Sequence, residues 1–229
     1  MKILTGLVGI TGRMGQEIKK ASENSHFEII GGISSSSKEN FDNLFKNSQI
    51  VIDFSSKDVL QDLLLYALKY KTPLVIGTTG YSTEDLQRIE EASKKIPIFY
   101  SSNFSIGVAL LRSFCKKASE FFCDSYVDII EKHHIHKKDK PSGTALSIEK
   151  DLKKNLKKEI GIHCIRAANI VGEHTVSFRK DDELFEIKHS ALSRSILAKG
   201  ALDAAEFIYN KKSGLYSMQD LLGDFYAKS

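Results

Sequence analysis

The sequence predicts an α/β protein: an N-terminal Rossmann doubly wound parallel sheet followed by a C-terminal α+β domain with a mixed sheet. Three observations predict it. Short apolar runs alternate with amphipathic segments through the first hundred residues. A glycine-rich turn joins the first run to the first amphipathic segment. After Asn103 the alternation gives way to two long helical patterns and a group of strand-like runs.

Lys2 to Val8 is a short apolar run that meets Gly9, and Gly9 to Gly15 (GITGRMG) leads into a helical pattern carried by Met14, Ile18 and Ala21. Strand, glycine turn, helix is the opening of a βαβ unit. Phe27 to Ile33 is a second strand, followed by a polar loop from Ser34 to Ser37. Gln49 to Phe54 (QIVIDF) is almost continuously apolar, as a parallel strand covered on both faces must be. Leu60, Leu63, Leu64, Ala67 and Leu68 share one side of a helix over Val59 to Tyr70. Pro73 to Ile76 is the next strand, and Ser82 with Asp85 forms a capping-box signal opening a helix over Thr83 to Lys94. Pro97 to Tyr100 is the last strand of this series.

Ile106 to Phe122 then spaces Ile106, Leu110, Phe114, Ala118 and Phe121 helically. Tyr126 to Ile135 is strand-like, and Leu146 to Lys158 is a second helix with lysines on a solvated face. Ile162 to Val171, Glu173 to Arg179 and Leu184 to Ser190 are three further strands, and Ser195 to Asn210 is a final helix that returns to the first domain.

Composition narrows the function classes. The chain has 229 residues and a net charge of +4, and its lysines are scattered rather than interleaved with aromatics, so nucleic acid is not an expected partner. No apolar run of about 18 residues suggests a membrane span. Gly12 and Arg13 interrupt the apolar N-terminus too early for a signal peptide, and three cysteines with no C-x-x-C spacing point to a reducing, cytoplasmic setting.

The chemistry concentrates in two places. The Gly9, Gly12 and Gly15 spacing suits close backbone approach to a pyrophosphate at a helix N-terminus. Gly77-Thr78-Thr79-Gly80 ends a strand on the same edge. After the second strand, where a carboxylate would select NAD, stand Ser34 and Ser35, with Arg13 and Lys38 nearby as partners for a 2′-phosphate. The second place is Glu131 to Ala145 (EKHHIHKKDKPSGTA), which combines titratable histidines, lysines and a Pro-Ser-Gly-Thr turn suited to a small anion that must receive a proton. Gly143 and Thr144, at a helix start, are placed to bind a carboxylate through backbone amides and a hydroxyl. Strand alternation predicts His134 and His136 on one face and His133 on the other. HHIH with Asp139 is not a standard ligand spacing, so no metal is expected.

These motifs resemble those of the dihydrodipicolinate (4-hydroxy-tetrahydrodipicolinate) reductase family. They comprise GxxGRMG (Gly9 to Gly15), DFS (Asp53 to Ser55), VIGTTG (Val75 to Gly80), NFSIGV (Asn103 to Val108) and ExHHxxKxDxPSGTA (Glu131 to Ala145). NIVGEHTVxF (Asn169 to Phe178), Ser193-Arg194 and SGLYSMQDLL (Ser213 to Leu222) complete the set. The resemblance implies a homotetramer that reduces a cyclic imine dicarboxylate with NADPH or NADH in diaminopimelate and lysine biosynthesis. It implies a dinucleotide-binding domain over 1–104, to which 197–229 return, and a substrate-binding and oligomerisation domain over 105–196. Gly9, Ile10, Thr11, Gly12, Arg13, Met14, Gly77, Thr78, Thr79, Ser101, Ser102, Asn103 and Phe104 would line the cofactor. His133 would be the acid/base residue, Lys137 the proton donor, and His134, Gly143 and Thr144 the holders of the substrate carboxylates. Ser34 in place of the usual acid, a short stretch between Ser37 and Gln49, and Lys140 in place of the usual Ala depart from the family pattern.

Two other readings fit less well. A semialdehyde dehydrogenase needs a cysteine nucleophile in an active-site loop, whereas Cys115 and Cys123 lie in or just after a helix and Cys164 in a strand. A dinucleotide-sensing binding protein would have no use for His133, Lys137 and the Pro-Ser-Gly-Thr turn together.

Overall fold

The computed structural model describes residues 2–34 and 40–228. Ser35 and Lys38, named above beside the adenosine ribose, lie outside them. Contacts divide the chain into two compact units, Met1–Phe104 with Ser195–Ser229, and Ser105–Arg194.

The first unit runs β1 (Ile3–Val8), α1 (Arg13–Ser22), β2 (Phe27–Ile33), α2 (Phe41–Asn47), β3 (Ile50–Asp53), α3 (Leu60–Tyr70), β4 (Leu74–Ile76), α4 (Thr83–Ser93) and β5 (Pro97–Tyr100). The second unit runs α5 (Ile106–Phe121), β6 (Tyr126–His133), α6 (Gly143–Leu152), β7 (Ile160–Arg166), β8 (Gly172–Arg179) and β9 (Leu184–Ala191). The chain then re-enters the first unit with α7 (Ser195–Tyr209), β10 (Gly214–Tyr216) and α8 (Met218–Lys228).

Six parallel strands in the order β10-β5-β4-β3-β1-β2 make the first sheet. β3 and β4 are buried along their whole length, which is why their sequence is apolar throughout except for Asp53 at the end of β3. Val51, Leu74, Ile76 and Ile98 pack against Leu44, Leu63, Ala67 and Ile89 from α2, α3 and α4. On the other face α7 lies over α1 and the sheet, with Phe99 meeting Phe207 edge-on at 6.2 Å. The chain leaves β1 for one edge and returns to β3 on the other side of β1. Ligands bind outside the carboxyl ends of the strands at such a reversal.

The second sheet is mixed, in the order β7-β6-β8-β9, with β6 parallel to β7 and antiparallel to β8. Alternation along β6 turns Val127 and Ile129 toward Leu111, Cys115, Ile148 and Leu152 of α5 and α6. The opposite face carries Tyr126, Asp128, Lys132, Glu173 and Lys188, and Ile165 and Leu184 are also well exposed.

Several elements differ from expectation. Two short helices and a strand, α2, α8 and β10, were not anticipated. β6 stops at His133, because the chain turns there: the Lys137 amide donates to the His134 carbonyl at 3.1 Å. His134 and His136 are therefore not strand residues, and the face assignment based on alternation does not apply to them. α6 starts at Gly143 rather than Leu146, because the Ser142 hydroxyl accepts from the Ala145 amide at 3.2 Å. It ends at Leu152, before the lysine-rich stretch. β7 covers Ile160–Arg166 and stops short of Val171, the chain passing through Ala168 at φ 44°. Among the described residues no helix is long and apolar enough to cross a membrane.

Candidate active site

The carboxyl edge of the first sheet holds a cavity of about 720 Å³ lined by Gly12, Arg13, Met14, Phe54 to Lys57 and Gly77 to Gly80. Gly9 turns the chain at φ +87°, and a Cβ there would lie 2.4 Å from the Phe54 carbonyl oxygen, so only glycine fits. Gly12 then caps α1 and presents the helix N-terminus to the cavity. Gly80, also at positive φ, has nothing within 4 Å of a built Cβ and leaves the rim open. Backbone amides, threonine hydroxyls, Arg13 and Lys57 around one concavity suit a phosphate-bearing nucleotide.

Of the residues expected to line a cofactor, Gly12, Arg13, Met14, Gly77, Thr78 and Thr79 do meet in this cavity, with Gly9, Ile10 and Thr11 forming the turn behind it. Ser101 and Asn103 hold their own loop, the Ser101 hydroxyl donating to the Asn103 carbonyl at 2.7 Å. The Phe104 ring is buried against Phe54 and Phe99, so its side chain belongs to the core. Ser55, Ser56 and Lys57 line the cavity without having been anticipated. The Asp53-Phe54-Ser55 motif was the available signal.

Asp53, at the end of β3, is wholly buried. The Ser55 hydroxyl donates to its Oδ1, the Ser55 amide donates to the Thr78 hydroxyl at 2.8 Å, and Oδ2 has no hydrogen-bond partner among the described residues. Burial pushes its carboxyl up to about 6, only partly offset by the Ser55 hydroxyl and the nearby Thr78 hydroxyl. A carboxyl that holds its proton more tightly folded than unfolded makes stability fall as pH rises from about 4 to about 6, by at most about 3 kcal/mol. Asp53→Asn keeps an acceptor for Ser55 and removes the buried charge. It is expected to raise the thermal midpoint near pH 7.5 and to change it little near pH 4. A lowered midpoint at pH 7.5 would overturn that account.

In the second unit the helix-covered face of its sheet becomes polar toward the carboxyl end of β6. Strand register sets Cys164, Glu131, His174 and His189 in one row, with Arg166 beside His133 in the next. Glu131 is fully buried between two partners. Its Oε1 accepts from Arg166 Nη2 at 2.6 Å and from the Ser142 amide at 3.3 Å, while its Oε2 lies 2.7 Å from His133 Nδ1, off the ideal hydrogen-bond axis. Burial alone would raise the Glu131 carboxyl, but the bonds from Arg166 and Ser142 hold it below the usual range. The His133 and His174 rings meet edge-on at 5.2 Å, and His174 Nε2 is 3.3 Å from the Ser142 hydroxyl. Burial depresses His133, with Glu131 opposing and the Lys137 and Arg166 cations reinforcing the shift. Burial also takes His174 down to about 4. Both shifts favour the neutral ring.

The loop after β6 brings Lys137 to this cluster, its ammonium 2.8 Å from Asp139. Arg166 Nη2 also donates to the Asp139 carbonyl at 2.6 Å, tying the loop to β7. Ser142, touching both Glu131 and His174, fixes the start of α6, so Gly143 and Thr144 open the helix beside the cluster. Gly143 has nothing within 4 Å of a built Cβ. His134 begins the turn, its ring 6.2 Å from that of His136.

Family comparison follows this division of the chain. Residues 1–104 match the description "Dihydrodipicolinate reductase, N-terminus" and residues 107–222 match "Dihydrodipicolinate reductase, C-terminus". The chain belongs to the dihydrodipicolinate reductase family. The 4-hydroxy-tetrahydrodipicolinate reductase of Clostridium novyi (strain NT) is 42% identical over 243 residues, covering 94% of this chain and 96% of that one. That of Rickettsia rickettsii (strain Sheila Smith) is 40% identical over 232 residues, covering 94% and 97%. A dihydrodipicolinate reductase from Paenisporosarcina sp. TG-14, solved with dipicolinate bound, superposes with a TM-score of 0.83 at 23% identity, covering 95% of this chain and 98% of that one. Aspartate semialdehyde dehydrogenase II of Vibrio cholerae shares the fold at a TM-score of 0.53 and 8% identity. Its name belongs to the dehydrogenase class considered above, but in this reductase-family chain Cys115 is buried with its thiol pushed up to about 12, unsuited to nucleophilic work.

Glu131, Arg166 and His174 were not anticipated as site residues, and Ser142 only as part of the Pro-Ser-Gly-Thr turn. Glu131 and His174 stand inside quoted family motifs, whereas Arg166 had no signal, since only the β6–β7 register brings it there. Glu131, His133 and His174 could also converge on a metal ion, with ligand atoms within 4.8 Å of one another. Spacing within one segment could not reveal that set, because His174 arrives from β8. Arg166 already supplies the positive charge at Glu131.

Proposed function

We propose that this protein reduces 4-hydroxy-tetrahydrodipicolinate to tetrahydrodipicolinate with NADPH or NADH, a step of diaminopimelate and lysine biosynthesis. The observation that carries the reading is the buried Glu131–His133–His174–Arg166 array with Lys137 and the N-terminus of α6 beside it. The array belongs to a chain 42% identical to a reductase of that name.

The glycine turn and Gly77 to Thr79 would hold a reduced nicotinamide nucleotide, which would supply the hydride. Gly143 and Thr144 amides, with His134, hold the carboxylates of a small cyclic dicarboxylate. The 4-hydroxyl leaves as water to give a conjugated cyclic imine, the hydride adds to that ring, and Lys137 gives it a proton as negative charge reaches it, with His133 as the acid/base partner. Ser34 in place of a carboxylate leaves room for a 2′-phosphate, and Arg13 adds a cation, which supports NADPH alongside NADH. The exposed, mixed face of the second sheet supports assembly into a homotetramer, and three free cysteines suit a reducing cytoplasm.

The test is a coupled assay in which the upstream synthase generates the substrate and NADH and NADPH oxidation are followed separately. Consumption of at least one is expected. Consumption of neither sinks the reading.

A further inference from the structure

We propose that Glu131 is a positioning residue for His133, fixing the proton on Nδ1 and leaving Nε2 free for acid/base work. The role rests on the reduction proposed above. Glu131 Oε2 lies 2.7 Å from His133 Nδ1. A carboxylate oxygen and a bare ring nitrogen that close would set two lone pairs against each other, so Nδ1 carries the proton. The ring's other nitrogen faces Gly172, where a built Cβ would stand 3.1 Å from Nε2. A glycine there leaves that nitrogen clear. Glu131 is itself held from three sides: by Arg166 Nη2, by the Ser142 amide, and by β6, whose register aims it at the same face as His133. The carboxylate stays charged because the Arg166 guanidinium, only 6% exposed, is buried with it. Ser142 links this support to the start of α6, so the same residue that steadies Glu131 also sets where Gly143 and Thr144 begin the helix.

Nitrogen-detected spectra of the full-length chain labelled with ¹⁵N-histidine report the tautomer directly. The expected result at neutral pH is a His133 protonated on Nδ1; a proton on Nε2 overturns the assignment without any variant. In Glu131→Gln the carboxylate no longer favours the imidazolium, so the His133 titration midpoint is expected to fall further. The pH limb of kcat that reports His133 should move to lower pH with it. Turnover should drop roughly 10- to 10²-fold, a part of what a positioned acid/base group contributes, with KM and NADPH affinity unchanged. Glu131→Asp, which keeps the charge at a longer reach, should restore the midpoint part-way. A folded Glu131→Gln whose His133 midpoint and pH limb stay at the wild-type values rules the role out. The histidine titration is read without substrate, so it stands or falls separately from the reductase assay.

Discussion

Lys137→Ala is expected to lower turnover by roughly 10²–10⁴-fold while leaving cofactor affinity at its wild-type value, the usual worth of a positioned general acid. The local structure favours so specific an effect. Lys137 pairs with Asp139, which is more than half exposed, so removing the ammonium leaves a carboxylate that water can solvate. The loop itself is held by other bonds, Arg166 to the Asp139 carbonyl and the Lys137 amide to the His134 carbonyl, and these survive the truncation. Fold and carboxylate binding at Gly143 and Thr144 should therefore persist, and the loss should appear in kcat. Burial depresses His133 and the Lys137 cation adds to that shift, so the His133 midpoint in the variant should rise. Steady-state kinetics with an NADPH fluorescence titration checks both halves. Turnover within a few-fold of wild type would remove Lys137 from the proton-transfer role.

How far the sequence discloses such a site depends on whether its members are local in the chain. His133, Lys137, Gly143 and Thr144 fall within a dozen residues and can be recognised as one segment. Arg166 and His174 reach His133 only through the order β7-β6-β8, and nothing in the spacing of Ile160–Arg166 or Gly172–Arg179 states which strands will be neighbours. The fold shows the same division. β3 and β4 were legible because strands buried on both faces are continuously apolar. α2 has seven residues, too few for a helical period to show, and rests on two buried side chains, Leu44 and Phe45. β10 is three residues long and owes its existence to pairing with Pro97–Phe99, a tertiary event. α8 did carry a signal, since Ser217 and Asp220 have the spacing of Ser82 and Asp85, and the Asp220 carboxylate accepts from the Ser217 amide and hydroxyl.

Gly15→Ala is the second large effect, and two known contributions oppose each other there. Gly15 lies in the first turn of α1, where replacing glycine by alanine should stabilise a helix by about 1 kcal/mol. Against that, the new methyl would lie 2.2 Å from the Gly9 carbonyl oxygen and 2.7 Å from that of Ile10. These are backbone atoms of the turn that carries the nucleotide cavity, and they have no rotamer to escape into. Overpacking a core usually costs about 1–3 kcal/mol when side chains can yield; with backbone on both sides the cost should reach about 3 kcal/mol or more and outweigh the helical gain. Relief requires α1 to move away from β1, which carries its free amides away from the phosphates, so NADPH affinity should fall by roughly 10-fold or more. Gly12→Ala provides the contrast. Its methyl would sit 3.2 Å from the Gly9 oxygen on the exposed cavity rim, so the fold should hold while the nucleotide is crowded. Thermal unfolding and NADPH titration of the two variants separate the cases. A Gly15→Ala chain that melts above wild type would show that α1 yields easily, and that the third glycine of the motif is not what holds the helix close to the strand.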